Sequence, residues 1–248
     1  MSDPVEAPQE DQQYPQPDLF AWTRNLRRRE ALEVYAVILL AVLPDLVNAM
    51  FSHPGTAPVS SAALSVSLLM RSTQVSIPVL YIIYRSGEGW APFGFLRFRP
   101  FLDLAEGVLL TVGAMVASSV ARSAAGYIFP KADPGVHRYF NGVFKTSGAG
   151  LLLLALAIAA NSVAEELVTR SFMIHRLEKL SKSKAWAVWG SSLLFASYHV
   201  YEGSAAALTI LFVGLVFGFY FVANRRIAPL IIAHTLYNLI ASQTYFRH

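Results

Sequence analysis

The chain has 248 residues, a formal net charge of +4, 54% hydrophobic residues and only 15% charged residues. Soluble domains carry about 25% charged residues, and the apolar residues here form long runs, so an ordinary soluble domain is excluded. There is no cysteine, which excludes disulfide and thiolate chemistry. We therefore predict an all-α protein, a polytopic transmembrane helical bundle.

The chain begins with a polar, proline-containing stretch that has almost no apolar residues. Such a stretch cannot bury enough surface to fold, so residues 1–29 are expected to form a disordered tail followed by a basic flank. Apolar runs of roughly 20 residues then predict about seven spans. Their expected bounds are 31–51, 60–84, 102–125, 147–168, 185–201, 205–223 and 227–245. The fourth is expected to continue as a basic helical extension that contains Arg176, Lys179, Lys182 and Lys184. The segment 90–100 interleaves aromatic residues with arginines, which is typical of a segment lying at the membrane interface.

The distribution of lysine and arginine predicts the orientation of these spans. Cytoplasmic loops carry an excess of these residues. With the N-terminus inside, the outer segments contain only Lys131, Arg138, Lys145 and Arg247, with Arg122 near the boundary. The inner segments contain Arg24, Arg27, Arg28, Arg29, Arg85, Arg97, Arg99, Arg176, Lys179, Lys182, Lys184, Arg225 and Arg226. We therefore predict an N-in arrangement in the cytoplasmic membrane of a bacterium.

Two adjacent carboxylates, Glu165 and Glu166, follow the apolar run 151–160 near the end of the predicted fourth span. Charged groups in hydrocarbon cost roughly 2.5 to over 10 kcal/mol each, so they mark a functional site by default. Glu166 and Arg170 are four residues apart and can pair on one helix face. Glu165 is rotated by about 100° and can face another neighbour. The alternative is that both carboxylates cap the span at the lipid headgroups.

Polar side chains also interrupt two later predicted spans. His199 lies deep in the fifth, and His234 and Asn238 share one face of the seventh because they are four residues apart. Each could be a packing residue or an interhelical hydrogen-bonding group. However, the free-energy cost of placing these residues and the two carboxylates in the membrane is lowest if they share one polar cavity.

Such a cavity has the groups needed to hydrolyse an amide bond. A carboxylate with a neighbouring histidine can deprotonate water, and a second histidine with an asparagine can stabilise an oxyanion. Two histidines and a glutamate could instead bind zinc. We rank zinc second because no His-Glu-x-x-His pair is present, and we otherwise expect no cofactor.

These motifs resemble those of the CPBP family of intramembrane proteases. The motifs are Glu165-Glu166-x-x-x-Arg170, Phe195-x-x-x-His199 and His234-x-x-x-Asn238, in that order. The family includes CAAX-processing enzymes of the Rce1 type and bacterial relatives associated with bacteriocin processing or immunity.

The resemblance implies a metal-independent glutamic endopeptidase that cleaves a membrane-associated or lipidated peptide from a cavity open to the cytoplasm. Glu165 would be the base, His199 would help it activate water, and His234 and Asn238 would form the oxyanion hole. Glu166 and Arg170 would be supporting residues. The chain then divides into the tail and basic flank at 1–29, N-terminal spans with the interfacial segment at 30–101, and a protease core at 102–246. No nucleic-acid partner is expected.

Two other classes stay open at this point. A non-catalytic membrane scaffold or bacteriocin-immunity protein could keep the same fold, and a proton-coupled transporter could use the same Glu/His chain. Arg71 and Asp45 lie inside the first two predicted spans. Because buried charges are usually paired, we expect them to pair with each other, and a position in the same cavity as Glu165 is the alternative.

Overall fold

The structure, a computed structural model, describes residues 19–51, 60–129 and 147–244. The predicted disordered tail up to residue 18, the link 53–58, the loop from 130 to 146 and Arg247 lie outside the described residues. The described part contains helices and no strand, which confirms the all-α prediction there. Its α-helices are α1 (Leu19–Val37), α2 (Leu43–Phe51), α3 (Ser61–Ser86), α4 (Pro100–Ile128), α5 (Ala149–Glu166), α6 (His175–Ser181), α7 (Lys184–Ser197), α8 (Ser204–Asn224) and α9 (Ala228–Thr244).

Two π-helices join α-helices into longer rods. Ile38–Val42 connects α1 to α2, and Leu167–Ile174 connects α5 to α6. Shorter 3₁₀ turns occur at Ala91–Phe93 and Val200–Glu202. The basic flank of the predicted tail is therefore helical from Leu19 onward.

Four helices in the described part are long and apolar enough to cross a membrane. They are Ser61–Ser86, Pro100–Ile128, Ala149–Ser181 and Ser204–Asn224, and Ala228–Ser242 is a shorter apolar helix. Large apolar side chains on these helices, such as Ile77, Leu109 and Leu152, are exposed, as contact with lipid requires. The protein is thus an integral membrane protein, although the described helices do not establish seven spans.

The predicted fourth span continues as a helix beyond residue 168, as expected from the basic extension that follows it. The helix runs without a break from Ala149 to Ser181, a length of 33 residues, so the extension is confirmed as far as Ser181. Glu165 and Glu166 are both buried near the middle of this rod. The alternative of two carboxylates capping a helix at the headgroups is therefore wrong.

This central rod lies between two apolar cores. One side of it packs with α1, α3 and the turn after α7 through residues such as Val79, Phe172 and Tyr198. Its C-terminal part packs with α4, α7, α8 and α9 through residues such as Ile174 and Phe217. Side chains at the centre of the rod can consequently meet groups from both halves of the chain.

Small residues allow the helices of the second core to approach closely. Gly214 and Gly218 are one turn apart on α8 and face α7, where a Cβ at Gly218 would lie 2.8 Å from Val188. A Cβ at Gly107 on α4 would lie 2.6 Å from Ile232 on α9. Close backbone approach at small residues is the usual way in which membrane helices gain packing energy.

The segment 90–100 does not simply lie at the membrane interface as predicted. Phe93 is buried in the first core, and its carbonyl accepts a hydrogen bond from the Ser171 hydroxyl at 2.6 Å. Gly94 has φ +88° and is in tight contact with the Phe221 ring, where only glycine has no Cβ to clash. Aromatic residues such as Trp90 and Phe98 remain exposed, so the interfacial prediction is correct only for part of the segment.

Charged residues from distant segments meet at one end of the bundle. Arg176 on α6 pairs with Glu33 on α1 and with Glu88 in the α3–α4 link. Lys179 on α6 pairs with Glu30 and Glu88. These ion pairs connect the N-terminal helix and the α3–α4 link to the central rod.

Further contacts at the same end involve the other segments that the charge pattern assigns to one side. Arg29 donates to the Arg85 carbonyl at 2.8 Å. Arg226, between α8 and α9, donates to both carboxylate oxygens of Asp103 at 2.7 and 2.9 Å. The segments richest in lysine and arginine thus form a single polar end.

Low pH should lower the stability of the fold, because Glu88 at this polar end then becomes protonated. Burial alone would raise the pKa of the Glu88 carboxyl, but hydrogen bonds from His175 and Arg176 and the charge of Arg176 lower that pKa from 4.5 to about 2. Because the folded-state pKa is depressed, the carboxylate stabilises the fold above pH 4.5, and this contribution is lost as the pH falls toward 2. We expect the Tm difference between wild type and Glu88→Gln in detergent to shrink across this interval. A constant difference would contradict the prediction.

Candidate active site

The carboxylate pair lies where the central rod changes from an α-helix to a π-helix. α5 ends at Glu166 and the π-helix begins at Leu167. Side-chain hydroxyls satisfy carbonyls here: Thr169 donates to the Glu165 carbonyl, and Ser191 to the Thr169 carbonyl, each at 2.5 Å. π-Helical turns inside α-helices are frequent at functional sites, and the two glutamates directly precede this one.

Glu165 faces groups from three other elements. Its Oε1 lies 3.9 Å from His199 Nε2 and 3.4 Å from an Arg71 nitrogen, and its Oε2 lies 3.5 Å from His234 Nε2. The side chain is 6% exposed. The structure therefore brings together the carboxylate and both histidines that the sequence singles out, although they are far apart in the chain.

Glu166 is committed to a different set of partners. Its Oε1 accepts from Arg170 at 3.0 Å and from His234 Nδ1 at 2.7 Å. Arg170 also donates to the Thr169 hydroxyl at 2.6 Å, and its guanidinium lies 4.5 Å from the centre of the Phe195 ring. One oxygen of Glu166 and one nitrogen of Arg170 have no hydrogen-bond partner among the described residues.

His199 is not inside a span-length helix, contrary to the prediction. α7 has only 14 residues and ends at Ser197, and His199 lies in the turn that follows. The His199 amide donates to the Ala196 carbonyl, while its Nδ1 donates to the Phe195 carbonyl at 2.8 Å. The ring thus takes the acceptor that a continued α-helix would use. Because a carbonyl can only accept, Nδ1 carries a proton, so in the neutral form of the ring the lone pair lies at Nε2.

His234 bridges the two glutamates, but Asn238 does not join them directly. His234 is buried on α9, with Nδ1 on Glu166 and Nε2 toward Glu165. Asn238, one turn further on, donates to the Ser162 hydroxyl at 3.3 Å. Ser162 lies on the same rod as the glutamates, so Asn238 borders the site without contacting either carboxylate.

Three further polar residues surround Glu165. Arg71 donates to Asp45 at 2.8 Å from Nε and to the Asn161 side-chain oxygen at 2.8 Å. The expected Arg71–Asp45 pair is confirmed, and the pair also reaches the Glu165 cavity. The sequence does not assign Asn161 or Tyr198 to the site. The available signal is that Asn161 lies four residues before Glu165, about one helical turn, and that Tyr198 directly precedes His199.

A narrow crevice beside Glu165 is lined by the polar residues Arg71, Glu165 and Tyr198 and by the apolar residues Ala41, Val75, Ala164 and Val168. Among the residues that the structure describes, no three His, Asp or Glu side chains are grouped as ligands for a metal ion.

These observations define the class: an integral membrane protein whose helices enclose a buried Glu/His cluster. Residues 147–240 of the 248 match the family described as type II CAAX prenyl endopeptidase Rce1-like. This match supports the CAAX-processing CPBP family and points to a protease, hence a hydrolase. The matched segment contains all seven motif residues and excludes Arg71 and Asp45. No curated protein and no solved structure matches the chain significantly.

Proposed function

We propose that the protein hydrolyses a peptide bond of a membrane-associated or lipidated substrate, with Glu165 as the general base. The observation that carries this proposal is the approach of two imidazoles, from His199 and His234, to one buried carboxylate. A carboxylate and an imidazole 3.9 Å apart can both hydrogen bond to one water placed between them.

The first step is the attack of that water on the substrate carbonyl carbon. Glu165 takes one proton from the water, and the lone pair at His199 Nε2 orients the second O–H. The new C–O bond forms as the carbonyl π electrons move to oxygen. The tetrahedral intermediate then collapses, the C–N bond breaks, and the proton held by Glu165 passes to the departing amine.

The oxyanion formed in this step needs hydrogen-bond donors. We assign this role to Asn238 Nδ2 and to His234, whose Nε2 donates when both ring nitrogens are protonated. Glu166 supports His234 by accepting a hydrogen bond from its Nδ1 at 2.7 Å, and Arg170 supports Glu166 by donating to the same oxygen at 3.0 Å. This proposed mechanism uses no metal ion or cofactor.

The polar end of the bundle supports an orientation for the site. We assign this end to the cytoplasm, with seven spans, the N-terminus inside, and location in the cytoplasmic membrane of a bacterium. Glu165 lies eleven residues from Arg176 along the central rod, or about 16 Å at 1.5 Å per residue. A substrate segment would therefore enter from the cytoplasmic face.

The test uses purified protein in lipid nanodiscs and an internally quenched peptide with a prenylated CAAX terminus. We expect cleavage by wild type and a loss of about 100- to 10,000-fold in kcat for His199→Ala, since general base catalysis contributes that much. Tyr201→Phe, a neighbouring change outside the motif, is the matched control.

Two further arms complete this experiment. The same peptide without lipid shows whether the lipid is recognised, and exhaustive chelation tests the zinc alternative. Activity that survives chelation supports the metal-independent mechanism. Equal cleavage by wild type and His199→Ala would overturn the proposed Glu/His mechanism. No cleavage by wild type would overturn the proposal and favour a non-catalytic membrane scaffold or immunity protein.

A further inference from the structure

Each of the adjacent glutamates has its own arginine, and the two arginines come from different parts of the chain. Glu166 pairs with Arg170 at 3.0 Å within the motif. Glu165 faces Arg71 at 3.4 Å, which lies 94 residues earlier on α3. Arg71 is outside the segment 147–240 that matches the family, so the N-terminal half supplies a charge to the centre of the site.

Arg71 is held in this position from several sides. Its Nε and one terminal nitrogen donate to a single oxygen of Asp45, at the start of α2. The other terminal nitrogen donates to Asn161 and faces Glu165. The guanidinium also lies 5.8 Å from the centre of the Tyr198 ring, within the range of a cation–π contact. A planar guanidinium is suited to such a bridge because its donors are fixed in direction.

The charge on Arg71 matters because Glu165 is nearly removed from solvent. An ion taken out of water loses several kcal/mol of solvation, which a close opposite charge can offset. Within the described residues, Arg71 provides the only permanently charged cation within 4 Å of the Glu165 carboxylate, the other two neighbours being imidazoles. Arg71 also pairs with Asp45, and that pair alone would not require the approach of Arg71 to Glu165.

We propose that Arg71 is a positioning residue that keeps the Glu165 carboxylate ionised and fixed in orientation, and that Asp45 holds Arg71 in place. This inference rests on the proposed function, in which Glu165 accepts the proton of the attacking water. Arg71 acts through Glu165 and makes no covalent contribution. It also gives the N-terminal helices a defined part in the chemistry.

Infrared difference spectroscopy in nanodiscs tests the charge without requiring a substrate. The Glu165→Gln change in each background identifies the signal of that one carboxyl. At neutral pH we expect a protonated Glu165 signal in Arg71→Met and none in wild type, Arg71→Lys or Arg122→Met. The last variant is the matched control because it removes an exposed arginine from α4. If Arg71→Met, like wild type, showed no signal of a protonated Glu165, the proposal would be overturned.

Kinetics with the quenched CAAX peptide test the positioning. Arg71→Met should lower kcat by about 10- to 100-fold, as expected for a misplaced catalytic group, and leave KM unchanged. Arg71→Lys should recover most of the rate. A raised KM with unchanged kcat would overturn the positioning role, since Arg71 would then bind substrate.

A second variant covers the case in which Arg71→Met does not fold. Asp45→Asn keeps the Arg71 charge but weakens its anchor, and should lower kcat several-fold without changing the elution volume in detergent. Wild-type kcat in this variant would overturn the role. If wild type cleaves no peptide, the proposed function fails, while the infrared comparison still decides whether Arg71 keeps Glu165 ionised.

Discussion

Replacing Glu165 by glutamine should abolish peptide hydrolysis and leave the bundle folded. Glutamine has nearly the same shape and can still hydrogen bond to Arg71, but its amide cannot accept the proton of the attacking water. Loss of a general base lowers rates by about 100- to 10,000-fold, and we expect the upper part of this range because both nearby imidazoles lose the carboxylate they face. The measurement is the initial rate on the quenched peptide in nanodiscs.

The matched control for this variant is Glu106→Gln. Glu106 is also a carboxylate on a spanning helix, but it contacts Arg99 and Tyr220 instead of the histidines. We expect its rate to stay within about threefold of wild type, as for changes outside an active site. Retention of full activity by Glu165→Gln would remove Glu165 from the mechanism.

Replacing Arg170 by methionine should destabilise the protein more than any other single change in the motif. Arg170 and Glu166 are 1% and 0% exposed, so the variant leaves a buried carboxylate without its arginine. Removal of one partner from a buried ion pair costs about 3–5 kcal/mol. We expect a clearly lower Tm in detergent, measured by tryptophan fluorescence, with Arg122→Met as the exposed control.

The double variant Glu166→Gln with Arg170→Met separates charge from packing. It removes both charges, so it should be more stable than Arg170→Met alone. Equal Tm values for the single variant and wild type would show that the pair is not needed for folding. Equal Tm values for the single and double variants would show that lost packing around Phe195 explains the destabilisation.

The sequence predicts the membrane bundle because its signals are local. Apolar runs identify α3, α4, α5 and α8, and a four-residue spacing places Glu166 beside Arg170. Isolated polar residues in those runs point to one cavity, since each is costly alone. The structure agrees with this reasoning, because it places His199 and His234 within 4 Å of Glu165.

Other features depend on tertiary contacts and escape such reasoning. The end of α7 is set by the His199 ring bonding to the Phe195 carbonyl, which hydropathy does not detect. The sequence predicts the basic end of the central rod but not its partners: Arg176 and Lys179 pair with carboxylates on α1 and in the α3–α4 link. The approach of Arg71 to Glu165 joins residues 94 positions apart and requires the packing of α3 on α5.

The most direct measurement of the central claim compares membranes of cells that contain wild type with those that contain Glu165→Gln. Quantitative mass spectrometry of protein termini would detect each peptide bond cut by the protein in its own membrane, without a choice of substrate. The catalytic role of Glu165 predicts at least one membrane-associated protein with a new terminus only in wild-type cells. Identical termini in the two membranes, at equal protein levels, would contradict it.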